Sequence, residues 1–396
     1  MKRILLNSVL LLLAGMFVIG CSTTTVKSTY HEPAIQETAV IPEAQLLDVG
    51  INIFKPGVDE FSPEEGVFPQ VRKAEGRYIP VRLMETLQQT GNWGVVRVIP
   101  DRKSEMDLWI DGEILKSDGE VLAVNVKVQD SSGKVWYTRK YEETASKYAY
   151  DSRVSNPQNE PFQGLYNRIA NDLLLYRQQL SANEIKTIRT ITELKFAKTF
   201  SPEAFNDHIA TDKNGHYIIM RLPADNDPIL QRIKKIRERD NMFVDTLQDY
   251  YGSFTRQMDG PYFEWRKQSY EETVALRELR SQSNARLVGG IVAVLAGIAG
   301  VASDSSLGQA AGTVGIIGGG YAIKSGLDKR SESKIHAQAL EELGASLNAE
   351  IEPHTLELED RTVTLSGTVD EQYSQWKQIL RDIYMTETGQ PTPGFH

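Results

Sequence analysis

Cysteine is almost absent from this chain, and Cys21 is the single cysteine among 396 residues. One thiol excludes an intramolecular disulfide and a thiolate metal cluster, so packing alone must stabilise the folded parts. Histidine is also scarce, and the six histidines lie at positions 31, 208, 216, 336, 354 and 396. None lies at ligand spacing with another, and we expect His208 and His216 in turns or on the surface. The sequence therefore predicts no metal site.

The common catalytic motifs are also missing. The chain contains no Gly-x-Ser-x-Gly elbow, no Ser-x-x-Lys paired with Lys-Thr-Gly, no phosphate loop ending in Gly-Lys-Ser/Thr and no His-Glu-x-x-His. The glycines of 315–320 lack the spacing of a dinucleotide-binding fingerprint. We therefore predict a protein that is not an enzyme and that has no organic cofactor. The alternative is a wall hydrolase that uses two carboxylates, although the acidic residues show no convergent pattern.

Positive charge is in deficit, with 44 lysine and arginine residues against 53 aspartate and glutamate residues and a net charge of -9. Nucleic-acid-binding proteins normally carry a basic surface stripe that contacts phosphates. The charge balance therefore predicts no nucleic-acid partner.

The first informative stretch that the chain does have is at its N-terminus. Two basic residues precede an apolar run from Ile4 to Ile19, and the run ends in Val18-Ile19-Gly20-Cys21. This ending resembles the lipobox of bacterial lipoprotein precursors. The resemblance implies that residues 1–20 are a signal peptide, and that Cys21 carries diacylglycerol on its thiol and becomes the mature N-terminus. The alternatives are a transmembrane helix, for which the run is shorter than the usual length of about 20 residues, or a cleaved soluble signal.

The residues after Cys21 extend this interpretation. Ser22 stands where an aspartate would resemble the inner-membrane retention signal, so the lipoprotein resemblance implies the outer membrane, on its periplasmic face. The acyl chains, palmitate among them, would attach the protein to the membrane. This lipid on Cys21 would be the only group covalently bound to the chain. Residues 21–45 are polar and show no hydrophobic period, which predicts a flexible tether.

Residues 46–180 predict an α/β domain. A strand near 46–54 precedes a helix over 77–90, then four strands between 93 and 141 and a helix over 162–180. We predict a small antiparallel sheet packed by helices. The strand order, with Met106 to Ile114 and Val124 to Trp136, resembles the periplasmic α/β domain of envelope lipoproteins. Those lipoproteins include the curli secretion channel, the Tol-Pal β-propeller protein and auxiliary lipoproteins of lipid-transporting ABC systems. The resemblance implies an assembly or binding module without catalytic residues.

Residues 181–286 predict a helical region. A helix over 181–200 is followed by a short one, a short strand over 217–222 and a long arm from Pro228 to Met258. We expect Gly260-Pro261 to break or kink this arm before a second helix that runs to Arg286. The arm is either a coiled-coil contact between subunits or a helix hairpin folded against its own domain.

Residues 287–326 contain two glycine-rich apolar runs, each about 22 to 26 Å long as a helix, separated by a polar corner at 303–306. Each is shorter than the hydrocarbon core of about 30 Å, and charged residues lie at both outer ends, which predicts a helical hairpin with both ends in one compartment. Small residues at this spacing let helices approach closely. The predicted membrane or helix-packing positions are Gly289, Gly297, Gly308, Gly312, Gly315 and Gly319. The alternative is a buried helix pair in a soluble core.

Residues 331–385 predict a helix, a strand pair and a final helix. The segment Thr364-Leu365-Ser366-Gly367-Thr368-Val369 resembles the end of a BON domain, although Arg361 stands where that domain has a turn glycine. The resemblance implies phospholipid or envelope binding, and the alternative is an ordinary strand–turn–strand–helix unit. Residues 386–396, with two prolines, are predicted to be disordered.

These elements predict the α+β fold class: a small sheet packed by helices, then long helices, the apolar hairpin and a C-terminal β-α unit. The expected function is that of an outer-membrane lipoprotein that is not an enzyme and is a structural subunit of a cell-envelope complex. Its expected partners are the membrane, envelope proteins and further copies of itself. The alternative is a phospholipid-binding auxiliary lipoprotein of a lipid or export transport system.

Overall fold

The computed structural model describes residues 31–57, 69–102, 104–151, 160–300, 354–357 and 362–389. The lipobox and Cys21 lie outside these ranges, as do Gly308, Gly312, Gly315 and Gly319. Within them the fold is α+β, as predicted, with a five-stranded sheet packed by helices and a C-terminal β-α unit.

The sheet domain consists of β1 (Val49–Ile51), α1 (Pro69–Thr90), β2 (Val96–Val98), β3 (Leu108–Ser117), β4 (Val121–Asp130), β5 (Val135–Thr144) and α2 (Gln163–Arg177). It is followed by α3 (Ala182–Phe200), α4 (Pro202–Phe205), β6 (Ile209–Thr211), β7 (Tyr217–Ile219), α5 (Pro228–Gly300), β8 (His354–Glu357), β9 (Thr362–Leu365) and α6 (Val369–Thr388).

The strands of the large sheet lie in the order β2-β1-β3-β4-β5. β3, β4 and β5 form the predicted antiparallel meander. β1 lies between β2 and β3 and is parallel to both, so the sheet is mixed rather than purely antiparallel. The reason is the connection through α1, because a strand–helix–strand crossover returns the second strand parallel to the first.

The core lies where this sheet packs against its helices. All three residues of β1 are buried, as expected of a strand inside a covered sheet. Gly112 in β3 is required by close packing, because a Cβ there would lie 2.4 Å from the ring of Phe54. The aromatic side chain therefore lies directly on the strand.

Residues 31–45 contain one short 3-10 turn, Glu43–Gln45. They are nevertheless attached to the sheet domain, because side chains of Asn92, Asn167 and Asn171 bind their main chain. The part of the predicted tether that the structure describes is thus held against the fold.

The long helix α5 contains 73 residues, a length of about 110 Å. It continues through Pro261, so of the predicted break or kink the break is absent. Proline lacks the N–H that would bond the preceding turn, but Asp259 and Tyr262 on either side bind α1 and hold the helix in place. Of the two alternatives for the arm, the structure shows packing against the protein's own domain, where α5 contacts α1, α3 and β2.

The glycine-rich run enters α5 at its end. Gly289 and Gly297 lie in the last turns of this helix, and residues 301–326 lie outside the described residues. In the part of the chain that the structure describes, no helix is both long and apolar enough to cross a membrane.

The C-terminal unit has the predicted strand pair and final helix. β8 and β9 are antiparallel, and α6 begins with a capping box in which Thr368 and Glu371 bind each other's backbone N–H groups. α6 ends at Thr388, with Gly389 as its C-cap, and so extends into the predicted tail. The helix predicted at 335–347 lies outside the described residues.

Candidate functional site

Among the residues that the structure describes, a group of buried charges lies where α5 contacts the sheet domain. Two polar contacts hold the helix there. We call them the edge contact, formed by Arg97, Val98, Asp245 and Gln248, and the buried cluster, formed by Glu75, Tyr78, Glu160, Tyr262 and Arg266.

The edge contact completes the outermost strand of the sheet. The side-chain amide of Gln248 accepts a hydrogen bond from the Val98 N–H at 2.8 Å and donates one to the Val98 carbonyl at 3.0 Å. The main chain of an edge strand would otherwise present unpaired groups at this position. Gln248 therefore binds β2 as a neighbouring strand would, and it does so from a helix.

A charged pair lies beside this amide. Arg97 donates from Nε to Asp245 Oδ1 at 2.7 Å and from Nη2 to Asp245 Oδ2 at 3.0 Å. This two-point geometry is the strong form of an arginine–carboxylate contact. The Arg97 side chain is 5% exposed, whereas that of Asp245 is 56% exposed, so solvent screens the pair from one side.

The buried cluster contains an ion pair without such screening. Arg266 Nη1 donates to Glu160 Oε1 at 2.6 Å and Nη2 donates to Oε2 at 3.2 Å. The two side chains are 3% and 6% exposed. The Arg266 guanidinium also lies 4.2 Å from the centre of the Tyr262 ring, a cation–π contact that shields it further from water.

Glu75 is the second buried carboxylate of the cluster. It accepts hydrogen bonds from the Ser117 hydroxyl at 2.6 Å and from the Tyr262 hydroxyl at 2.7 Å. Arg72 Nε lies 3.5 Å from its other oxygen. Burial raises the pKa of Glu75, and Arg72 together with the two hydroxyl donors only partly offsets this rise.

Glu160 has a pKa shift of the opposite sign. Burial acts to raise its pKa, but the charge of Arg266 and its hydrogen bonds outweigh burial, so the pKa lies below its ordinary value. Both carboxylates are shielded from water, with side chains 0% and 6% exposed, and they differ in their donors: Glu160 has a two-point guanidinium partner, whereas Glu75 has two hydroxyl donors and Arg72 at 3.5 Å.

Tyr78 connects the cluster to the neighbouring turn of α5. Its hydroxyl bonds Glu160 Oε2 at 3.1 Å and Asp259 Oδ1 at 3.0 Å, and Arg82 binds the same Asp259 oxygen. The pKa of Tyr78 is raised well above its ordinary value, first by burial and second by the negative charge of Glu160. Tyr78 therefore stays protonated and donates.

This arrangement can hold α5 in place against the sheet domain. The charged groups of the cluster are paired with protein side chains and shielded from water, so α1, the Glu160 segment and α5 are joined at one point. Throughout the described ranges, no three His, Cys, Asp or Glu side chains are close enough to hold a metal ion.

Sequence patterns did not predict the residues of this site. The site residues that were predicted either lie outside the described residues, as Cys21, Val18, Ile19 and Gly20 do, or lie at the end of α5, as Gly289 and Gly297 do. A signal for the cluster does exist, because Arg266 follows Tyr262 by one helical turn within an aromatic stretch. His208, expected in a turn or on the surface, is buried, and its Nδ1 lies 3.0 Å from the Arg221 carbonyl.

Comparison with known proteins gives no relative for this arrangement: no protein-family model, curated protein or solved structure matches the chain.

Proposed function

We propose that this protein is an outer-membrane lipoprotein that is not an enzyme and is a structural subunit of a cell-envelope complex in the periplasm. The sheet domain carries α5 as a rigid arm. The glycine-rich end of the arm associates with other copies or enters the bilayer. The observation that carries the proposal is the continuity of α5 from the buried cluster into the charge-free stretch that begins at Leu287.

This continuity has a mechanical consequence. From Arg266 to Gly300 the helix extends by about 50 Å at the standard rise per residue. Because Arg266 is held by a buried ion pair, the helix that leads into the apolar stretch is fixed at its base to the sheet domain. A helix fixed at its base and apolar at its end suits a subunit that must present the same surface in every copy.

The lipid anchor supports the same role. The lipobox resemblance at Val18-Ile19-Gly20-Cys21 implies acyl chains on Cys21, and each buried methylene contributes about 0.8 kcal/mol. Several acyl chains would keep the domain on the leaflet, where copies meet at high local concentration.

The glycine spacing supports self-association. Gly308, Gly312, Gly315 and Gly319 recur at steps of three or four residues, so on a helix they would share a face without side chains. Such a face allows close contact between helices.

Metabolic labelling tests the anchor. Cells that express the protein are grown with a palmitate analogue, and we expect label on the wild-type chain and none on Cys21→Ser. An unlabelled wild-type product, or one recovered free in the culture supernatant, would contradict the anchor.

Mass photometry of the detergent-extracted protein tests the assembly. We expect a defined oligomer for the wild type, a smaller species for Gly315→Leu and an unchanged oligomer for the neighbouring control Ile316→Leu. A wild-type monomer that purifies with stoichiometric phospholipid would instead support the alternative, a phospholipid-binding auxiliary lipoprotein. An oligomer unaffected by Gly315→Leu would argue against the glycine face.

A further inference from the structure

Residues 31–37, which we call the strap, are bound mainly through their main chain. Asn171 Oδ1 accepts a hydrogen bond from the Ile35 N–H at 2.7 Å, and Asn171 Nδ2 donates to the Pro33 carbonyl at 3.2 Å. Asn92 Oδ1 accepts from the Glu37 N–H at 2.8 Å, and Asn92 Nδ2 donates to the Ile35 carbonyl at 2.8 Å. The two asparagine side chains thus bind four main-chain groups of the strap, which are the Pro33 carbonyl, the N–H and carbonyl of Ile35 and the Glu37 N–H.

The asparagines form a built site, which we call the clamp. Asn92 is 1% exposed, and Asn167 and Asn171 are each 7% exposed. Asn167 donates to the Glu32 carbonyl at 2.7 Å, and its own oxygen is held by Gln163 at 2.9 Å. An asparagine amide offers both a donor and an acceptor, so it pairs with a backbone as a neighbouring strand does.

The clamp depends little on the side chains of the strap. Ile35 is exposed, and Ala34 contributes the apolar contact with the core. Peripheral contacts join His31 to Glu143 and Glu37 to Gln178. Recognition through the main chain means that the clamp fits an extended segment of this sequence from whichever copy supplies it.

The strap has an exposed connection to the rest of the chain. Thr38, Ala39 and Val40 are exposed, with Val40 at 96%. The next attachments are at Glu43 and Gln45, whose carbonyls accept from Arg189 and Arg177. A segment that joins the rest of the fold through such an exposed bend can open locally while the core stays folded.

We propose that the clamp is an exchange site between copies, in which the strap of one molecule occupies the clamp of another. A second copy supplies the same segment and makes the same hydrogen bonds, so exchange changes only the path of residues 38–42. The inference rests on the proposed function for its setting, because copies anchored at Cys21 in one leaflet are concentrated beside one another. Its contacts are independent of the anchor.

A crosslinking trap in solution tests the exchange. One full-length chain carries Glu37→Cys and a second carries Gln178→Cys, both with Cys21→Ser, and a short bis-maleimide is added to the mixture at high protein concentration. We expect a covalent heterodimer, which forms only when a strap from one chain reaches the clamp of the other. A chain with both cysteines is the positive control and must crosslink within itself.

Variants of the clamp then test its specificity. Asn92→Ala with Asn171→Ala should lower the heterodimer yield about tenfold or more, because four hydrogen bonds are lost. The double variant Asn92→Asp with Asn171→Asp keeps the shape of both side chains but removes their N–H donors, so it should also lower the heterodimer yield. The matched control is Asn183→Ala with Asn226→Ala, two exposed asparagines, and should leave the yield unchanged.

Two results would overturn the proposal. One is a positive control that crosslinks within itself while the mixed chains give no heterodimer, which would make the strap a fixed part of its own fold. The other is a heterodimer whose yield ignores the clamp variants. Because the trap uses chains without Cys21, its failure is separate from a failure of palmitate labelling.

Discussion

The edge contact and the buried cluster hold the same helix with the same kinds of residue, but they differ in access to water. In the charged pair of the edge contact only the arginine is buried, and Asp245 faces solvent. In the buried cluster both Arg266 and Glu160 are shielded. Loss of Asp245 is therefore tolerated, because water replaces it, whereas loss of Arg266 or Glu160 is costly, because an isolated buried charge remains.

The difference indicates a division of roles along α5. Gln248 matches one backbone position on β2, so the edge contact defines the register of the helix against the sheet. The cluster joins α5 to α1 and to the Glu160 segment through several coupled bonds. We therefore expect the cluster to determine whether α5 stays attached, and the edge contact to determine where it lies.

The largest effect is expected for Arg266→Met. This change leaves Glu160 buried without its cation, and breaking a buried pair costs about 3–5 kcal/mol in the free energy of unfolding. Urea unfolding followed by tryptophan fluorescence measures it. The matched control is Lys267→Met, which removes a pair with Glu264 on the same helix whose side chains are 39% and 47% exposed, and it should cost about 1 kcal/mol or less.

A double variant separates the ion pair from packing. Glu160→Leu combined with Arg266→Met removes both charges, and apolar replacement of a buried pair is often close to neutral. We expect it to recover much of the loss seen for Arg266→Met. If the free-energy losses of Glu160→Leu and Arg266→Met, measured singly, simply add in the double variant, the cost comes from packing around these side chains.

The pH dependence of stability should distinguish the two carboxylates of the cluster. Glu160 has a lowered pKa, so it contributes stability above its ordinary value of 4.5 that is lost as the pH falls through its folded-state pKa. Glu75 has a raised pKa, so the folded state binds its proton more tightly and gains stability as the pH falls through that pKa. The two groups oppose each other in acid.

Urea unfolding from pH 7 downward measures these contributions. Glu160→Gln should be less stable than the wild type at pH 7 and should lose less stability in acid. Glu75→Gln should lose more than the wild type, because the group that opposes acid unfolding is gone. Parallel curves for the three proteins would contradict the assigned shifts.

A smaller effect is expected for Gln248→Ala at the edge contact. The Val98 N–H and carbonyl lose their partners, and unsatisfied backbone groups at a buried position cost about 1–3 kcal/mol. Hydrogen exchange at the Val98 amide should rise at the same time. Gln257→Ala is the control, since Gln257 is exposed on the same helix and its side-chain amide donates to the Ser253 hydroxyl one turn away, and it should change neither quantity.

The two contacts also show what the sequence was able to predict. Local patterns located β3 and β4 through their alternation, and α3 through the helical spacing of its apolar residues. They did not predict β1 as a parallel strand, because pairing with β2 depends on the crossover through α1. They predicted a break or kink at Gly260-Pro261, because a proline is a local signal and the contacts that retain the helix are not.

The buried cluster was missed for the same physical reason. Tyr262 and Glu75 are 187 positions apart, and their hydrogen bond exists only once α5 lies on α1. A glutamate in a helix is ordinarily a solvated residue, and Glu75 gives no local indication that it is fully buried. The edge contact was equally hidden, since Gln248 resembles any polar residue on the outer face of a helix.

The smallest effect is expected for Asp245→Asn, which tests the edge contact alone. The asparagine still accepts a hydrogen bond from Arg97, and solvent screens the lost charge, so the cost should be about 1 kcal/mol or less. It should also shrink in high salt, because exposed pairs are screened. Urea unfolding at low and high salt measures this, with Asp249→Asn on the same helix as the control. A loss as large as that of Arg266→Met would show that the two contacts are equally sensitive to charge and would remove the distinction between them.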